Sequence, residues 1–453
     1  MRKPIRWFKR GGWAAAALCA LLVSGAPAAQ AQTVQSLQER IQMLEQQLKN
    51  LDEVKKQLDA LKGQLESIQK EQQAQKAKVE KQEKSLEPLG DLKDLKKAIE
   101  VASKLEFSGR TTGTIQMTEG IDENVGGDEN FAVGALDLFF TYRPTSNVKA
   151  VVGITAIGGD GPDTRFPTFS GLNAHSGSTS HAGTTLDDVT ALEAYIEATF
   201  FQNRLTLTAG KIDLTNYFDT NTYANNKKDD FISVSFTNTH VLSNPSNGPG
   251  VRARYVLLPD LLYVEAGAMN GDRNGNSRTT DKFFEDMYGI VEIGVTPKIF
   301  GRQGNYRLWG FADGAARETV DVSGNNRRYT AMGAGISFDQ EITDWLGVFL
   351  RAGYRDSGNL NYATQAAWTA GVQLMKLVPG RPSDVIGIGY GEIRPTTRTV
   401  NPQKDERRWE AYYRWYLLDN LHFSPFIQFV DNRSGLQTDS DFWLFGARLH
   451  LSF

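Results

Sequence analysis

From about residue 104 onward the sequence repeats with a period of two, and that feature limits the chain more than any other. Leu136, Leu138, Phe140 and Tyr142 alternate with Asp137, Phe139, Thr141 and Arg143. Leu346, Val348, Leu350, Ala352 and Tyr354 alternate with Gly347, Phe349, Arg351, Gly353 and Arg355. Trp409, Ala411, Tyr413, Trp415 and Leu417 alternate with Arg408, Glu410, Tyr412, Arg414 and Tyr416, and Leu192 to Phe200 reads the same way. Successive side chains of a β-strand point to opposite faces. Each segment therefore has one apolar face and one face of charge, glycine and hydroxyls, as a strand between lipid and a polar lumen requires.

The connections alternate too. Pro144 to Ser146, Gln202-Asn203, Leu258 to Asp260, Glu341 to Thr343 and Asp419-Asn420 are short turns, whereas 118–130, 158–188, 214–248, 271–285, 315–326, 356–363, 393–405 and 432–440 are long and polar. Short turns on one side and long loops on the other are the habit of outer-membrane barrels. The spacing predicts strands at 105–117, 131–143, 147–157, 189–201, 204–213, 249–258, 261–270, 286–297, 304–314, 327–338, 344–355, 364–375, 383–392, 406–418, 421–431 and 441–453. The expected fold is thus an all-β membrane barrel of about sixteen antiparallel strands, preceded by an α-helical coiled coil. Phe231 to Phe236 is strand-like, but counting it breaks the alternation, so it is placed in the third external loop. A soluble two-sheet sandwich is the competing fold, and it leaves the loop alternation unexplained.

Composition enters here only to remove classes. The 453 residues are 40% hydrophobic, with a mean hydropathy of −0.39. No segment of the body reaches the ~18 to 20 apolar residues of a membrane-spanning helix, which excludes a polytopic helical transporter. A barrel is untouched by that test, because its apolar residues occupy alternate positions.

Residues 1–31 read as a secretory signal. Arg2, Lys3, Arg6, Lys9 and Arg10 precede an apolar stretch from Trp13 to Val23, and Ala29-Gln30-Ala31 fits a cleavage site. Its loss removes the only cysteine, Cys19, and takes the formal net charge from −3 to −8 by removing five cations. Disulfides and thiol chemistry are then excluded, and nothing points to nucleic acid. Residues 32–103 are expected to form a periplasmic coiled coil and linker. Val34, Leu37, Ile41, Leu44, Leu48 and Leu51, then Val54, Leu58, Leu61, Leu65 and Ile68, lie at threes and fours along a seam. Leu89, Leu92, Leu95 and Ile99 announce a short second helix beyond Pro88. Such a seam needs partners, and a homotrimer is the expected state.

Residues 104–453 would then enclose a lumen, since sixteen strands leave an aqueous channel. Its inward charges include Glu193, Glu197, Arg252, Arg254, Arg307, Arg351, Glu410 and Arg414, and its inward aromatics Tyr195, Tyr263, Trp309 and Tyr412. Opposed charges in a narrow pore orient polar solutes, and rings beside arginines suit sugars. The alternative is that the charges pair with one another and brace the wall. Loop 214–248, with Lys227, Lys228, Asp229 and Asp230, is too long for a plain excursion. Either it folds inward as a constriction or it contacts a neighbouring subunit.

The run Leu205-Thr206-Leu207-Thr208-Ala209-Gly210-Lys211-Ile212-Asp213 continues to Tyr217-Phe218-Asp219 and Tyr223-Ala224-Asn225. Asn247-Gly248-Pro249-Gly250-Val251-Arg252-Ala253-Arg254-Tyr255 follows, and Ser424-Pro425-Phe426-Ile427-Gln428 lies near the end. Together they resemble the carbohydrate-selective outer-membrane porins, over roughly residues 104 to 453. The resemblance implies passive uptake of small hydrophilic solutes, saccharides first, with Arg252 and Arg254 at the constriction. The helical arm resembles that of porins with a periplasmic extension, a wider group that takes other solutes, including metal chelates.

The expected surroundings are outer-membrane lipids, the barrel-assembly machinery acting through the strand that ends in Phe453, and peptidoglycan at the coiled coil. An envelope-tethering structural protein is the rival reading. Neither cofactor nor metal is expected, and no enzyme: His175, His181, His240, His422 and His450 are scattered without metal-ligand spacing, and no nucleophile motif is found.

Overall fold

The computed structural model describes residues 99–453 except 124–125, 175–187, 243–246, 271–286, 315–317, 321–325, 329, 357–363, 397–402 and 437–440. It also describes parts of a helix between Lys56 and Lys78. The chain divides into two units, Met1–Lys96 and Lys97–Phe453. In the first, every described residue between Lys56 and Lys78 is helical and exposed, including the seam residue Ile68. The rest of the proposed seam and the signal segment lie outside the described residues. The second short helix is described only at 99–102.

The second unit is a sheet closed on itself. Its first eight strands are β1 (Leu105–Glu119), β2 (Asn130–Thr145), β3 (Val148–Asp160), β4 (Asp188–Phe200), β5 (Leu205–Ile212), β6 (Gly248–Leu258), β7 (Leu262–Asn270) and β8 (Met287–Val295). The second eight are β9 (Arg302–Asp313), β10 (Ala331–Thr343), β11 (Leu346–Arg355), β12 (Thr364–Met375), β13 (Val385–Pro395), β14 (Glu406–Leu418), β15 (Leu421–Asp431) and β16 (Phe442–Ser452). The sheet has seventeen members, one of which is the two-residue piece Lys298–Ile299 beside β9, so sixteen long strands remain. Each pairs antiparallel with the next, and β16 returns to β1 from Arg110↔Ser452 to Glu119↔Trp443. Closure leaves no unpaired edge inside lipid.

Burial is inverted relative to a water-soluble protein. Ile115, Val152, Ile196, Val291, Ile293, Leu308, Met332 and Trp409 are exposed on the outside, whereas Asp137, Glu193, Glu292, Arg351, Arg408 and Arg448 are buried within. The apolar face of the period-two pattern therefore faces lipid. Tyr390 packs on Trp409 at 4.3 Å and on Trp368 at 5.4 Å between ring centroids, which builds part of an aromatic belt.

Several expected strand ends move by a few residues, the end of β10 furthest. β10 runs to Thr343 instead of ending at 338, and the turn follows at 344–345. Arg302 pairs with both Glu341 (2.8 Å) and Asp344 (3.1 Å) along this polar stretch. A register shift between Glu341 and Thr343 absorbs the irregularity.

Candidate pore interior

The connection between β5 and β6 runs inside the barrel. It begins with a 3₁₀ turn, Leu214–Asn216, whose first turn is capped by Asp213 accepting from the Thr215 amide at 2.9 Å. Asp219 follows at φ 56°, a conformation that Asp tolerates better than most residues. That turn aims its carboxylate at three donors: the Thr239 amide (2.5 Å), the Thr239 hydroxyl (3.0 Å) and Trp309 Nε1 (3.0 Å). Arg351 of β11 stands 3.4 Å from the same carboxylate, and neither side chain has exposed surface. Burial raises the Asp219 pKa, while Arg351 and these hydrogen bonds pull it down.

Arg351 also collects loop carbonyls. It donates to Asp219 O at 3.0 Å and Phe236 O at 2.8 Å, and to Ala224 O. Other inward charges repeat the device. Glu410 accepts from the amides of Ile232 (2.7 Å) and Ser233 (2.9 Å), and Glu292 from the Asp219 amide (2.9 Å). Arg448 donates to the carbonyls of Lys227 (2.7 Å), Asp229 (3.1 Å) and Asp230 (2.8 Å). Each wall charge thus satisfies loop backbone groups that would otherwise be buried without partners.

The loop's apolar side chains fit where the wall has none. A Cβ on Gly267 would lie 2.8 Å from the Phe218 ring, and one on Gly389 would lie 2.7 Å from Phe236. Phe231, Phe236, Phe349 and Tyr412 form one cluster there. The strand-like run Phe231 to Phe236 owes its pattern to this packing: its first half is irregular and its second half enters a single helical turn, Val234–Thr237.

The described part of the second long connection, residues 161–174, also enters the barrel. Phe166, Leu172 and Asn173 are buried, and Asn173 Nδ2 donates to Gln116 of β1 at 2.6 Å. Arg408 of β14 ties the two connections together, donating to Gly171 O (2.6 Å) and to the Ser233 hydroxyl (2.8 Å).

This architecture has known relatives. Residues 141–453 match the family described as "Carbohydrate-selective porin, OprB family". The chain belongs to the OprB family. The high-pH structure of OprB from Pseudomonas putida aligns with a TM-score of 0.65 and 18% identity, over 78% of this chain and 96% of that one. The outer-membrane channel DcaP of Acinetobacter baumannii aligns with a TM-score of 0.49 and 14% identity, over 77% of this chain and 97% of that one. An uncharacterized protein of Aquifex aeolicus is 25% identical over 241 residues, which is 53% of this chain. The chain spans 63% of the length of that curated relative.

Within this OprB-family barrel the inward charges separate into two groups. Most are consumed by pairing. Arg252 contacts Glu265, Arg307 pairs with Asp339 at 2.8 Å, and Arg414 lies 3.4 Å from Asp230. Lys228 contacts Asp137, Asn216 Nδ2 donates to Glu193 at 2.7 Å, and Glu410 is taken by loop amides. Arg351, Glu410, Trp309 and Tyr412 are all buried, and each contacts the inserted connection: Arg351 through Phe236 O, Glu410 through the Ile232 amide, Trp309 through Asp219 and Tyr412 through the Phe231 ring. Tyr263 is buried as well, donating to Glu292 at 2.8 Å.

Water still reaches the second group. Arg254 and Arg110 each keep 38% of their side-chain surface, and Lys149 keeps 27% beside Glu197 at 2.9 Å. Tyr195 and Tyr217 are half-buried, and Lys227 is exposed. Arg252 and Arg254 do not act at one level: Arg252 lies over the Tyr217 ring at 4.1 Å, whereas Arg254 lies over Tyr263 at 3.9 Å, nearer the short-turn rim.

Two features escape the sequence reading: the inward second connection, and the meeting of two histidines. His422 and His450 stand directly opposite each other across β15 and β16, and Asp229 Oδ1 lies 2.9 Å from His422 Nε2. The signal was available in the predicted strands 421–431 and 441–453, whose antiparallel pairing about the intervening loop brings the two positions together. Burial would raise Asp229, but the His422 hydrogen bond and the Arg414 charge outweigh it and bring the pKa to about 2.

Proposed function

We propose that this chain is an outer-membrane porin that admits small hydrophilic solutes, saccharides first, by passive diffusion. The observation that carries the reading is the set of water-accessible cations Arg110, Lys149 and Arg254 on β1, β3 and β6, with Lys149 2.9 Å from Glu197 and 5.9 Å from the ring of the half-buried Tyr195. Charged donors and acceptors there hydrogen-bond hydroxyls while rings meet C–H faces, a combination suited to sugars. The family description supports the same solute class. The inserted connection 214–248 acts in this reading as the constriction, with Lys227 and Asp229 at its accessible tip.

Single-channel conductance of the purified protein, with and without added saccharides, tests it. Ion conductance that saccharides reduce in a saturable way is expected. Absence of conductance sinks the porin reading, and conductance that no saccharide reduces removes the sugar claim.

The proposal extends to assembly. The chain works as a homotrimer, inserted through its last strand by the barrel-assembly machinery. Outward small residues support a close-packed contact: Gly113 of β1 and Gly134 of β2 border an external groove that also includes Ala132 and Ala447. The helical arm lies in the periplasm and is the segment that would reach peptidoglycan.

A further inference from the structure

Among the described residues, three side chains able to ligate a metal converge in the barrel interior: Asp229 from the inserted connection, His422 from β15 and His450 from β16. Their ligand atoms all lie within 4.8 Å of one another, and the two imidazole centroids are 5.0 Å apart. The nitrogens not needed for a metal are already engaged. His422 Nδ1 lies 3.1 Å from the Ser424 hydroxyl, and His450 Nδ1 lies 2.8 Å from the Thr112 hydroxyl. Histidine ligands are ordinarily held this way, with a second partner fixing ring orientation and leaving the other nitrogen free to bind.

Both histidines are buried, while Asp229 keeps 33% of its side-chain surface. An ion at their centre would therefore have protein on three sides and a water or solute on the fourth, the arrangement of an open rather than a closed site. The cations nearby each have another partner in contact: Arg448 meets the carbonyls of Lys227, Asp229 and Asp230, Arg414 meets Asp230, and Lys228 and Arg110 both meet Asp137.

We propose that Asp229, His422 and His450 form a binding site for a divalent transition-metal ion of the zinc class. Two imidazoles and one carboxylate select such ions over magnesium or calcium, which prefer all-oxygen shells. Bonds of ~2.0–2.1 Å to a tetrahedral ion place ligand atoms about 3.3 Å apart, so binding contracts the trio. Asp229 sits on a connection and supplies that movement. An ion there would fasten the tip of the connection to β15 and β16.

The site is independent of the pore reading, and its test reads binding alone. Full-length protein, purified in detergent and stripped with chelator, is titrated with zinc chloride by calorimetry, and with cobalt(II) followed by visible absorption. One ion per chain is expected, with the strong d–d bands of a four-coordinate cobalt site. Asp229→Asn and His450→Gln should each weaken zinc binding at least tenfold. Asp229→Asn leaves every strand untouched, and heat-modifiable migration on gels verifies that both variants form barrels. Absence of saturable zinc binding, undiminished binding in both variants, or equal affinity for calcium would overturn the proposal.

Discussion

A guanidinium without exposed surface, such as that of Arg351, is tolerable only where counter-charge and acceptors replace the water it has lost. Asp219 and the carbonyls of Asp219, Ala224 and Phe236 do so, which makes one side chain the clasp for three points of the connection. Replacing Arg351 with Ala leaves Asp219 buried without its partner, at a cost of about 3–5 kcal/mol. Urea unfolding in lipid vesicles should show a loss on that scale, and single-channel traces should become larger and noisier as the connection loosens. Quiet traces of unaltered size would show that Arg351 braces the wall alone. Arg252 and Arg254 differ in the same terms. Arg252 is in direct contact with buried Glu265, while Arg254 stands 3.9 Å from the same carboxylate and remains open to water. Arg254→Ala should therefore shift reversal potentials toward cations with little effect on stability. Arg252→Ala should destabilise more, because it leaves buried Glu265 with only the more distant Arg254.

Strands follow their own sequences closely here, because the selecting environment, lipid outside and polar interior within, acts on every second residue. β12, β14 and β15 span 364–375, 406–418 and 421–431, as their periodicity predicts. Leu308 sits mid-strand with its side chain on the outer face. Leu308→Arg should cost about 2–4 kcal/mol in lipid if it lies near the bilayer midplane, measured by the same unfolding. A cost near zero would place that position outside the hydrocarbon. Connections are less legible, since their partners lie far along the chain. Asp219 cannot announce Arg351, and Asn173 cannot announce Gln116, until the strands are closed. The two histidines were missed for the same reason: they are separated by a loop in sequence and joined by register in space. Alternation assigns the inward charges to one face, but which of them water reaches depends on what the connections cover.

At the scale of the whole chain, the two units make separable contributions in the function proposed. Deleting residues 33–87 should leave saccharide-sensitive conductance in each barrel and alter oligomer size or envelope integrity. Lost conductance after that deletion would make the arm part of the pore. The inserted connection has a consequence for transplantation. Its docking groups sit on β8, β11, β14 and β16, through Glu292, Arg351, Glu410 and Arg448. Together those strands form a receptor for one segment of their own chain. Grafting residues 214–248 onto another barrel would deliver Asp219 without its arginine and carbonyls without their donors. Loop and half-wall are therefore a single exchangeable part, and a change of solute preference has to carry both.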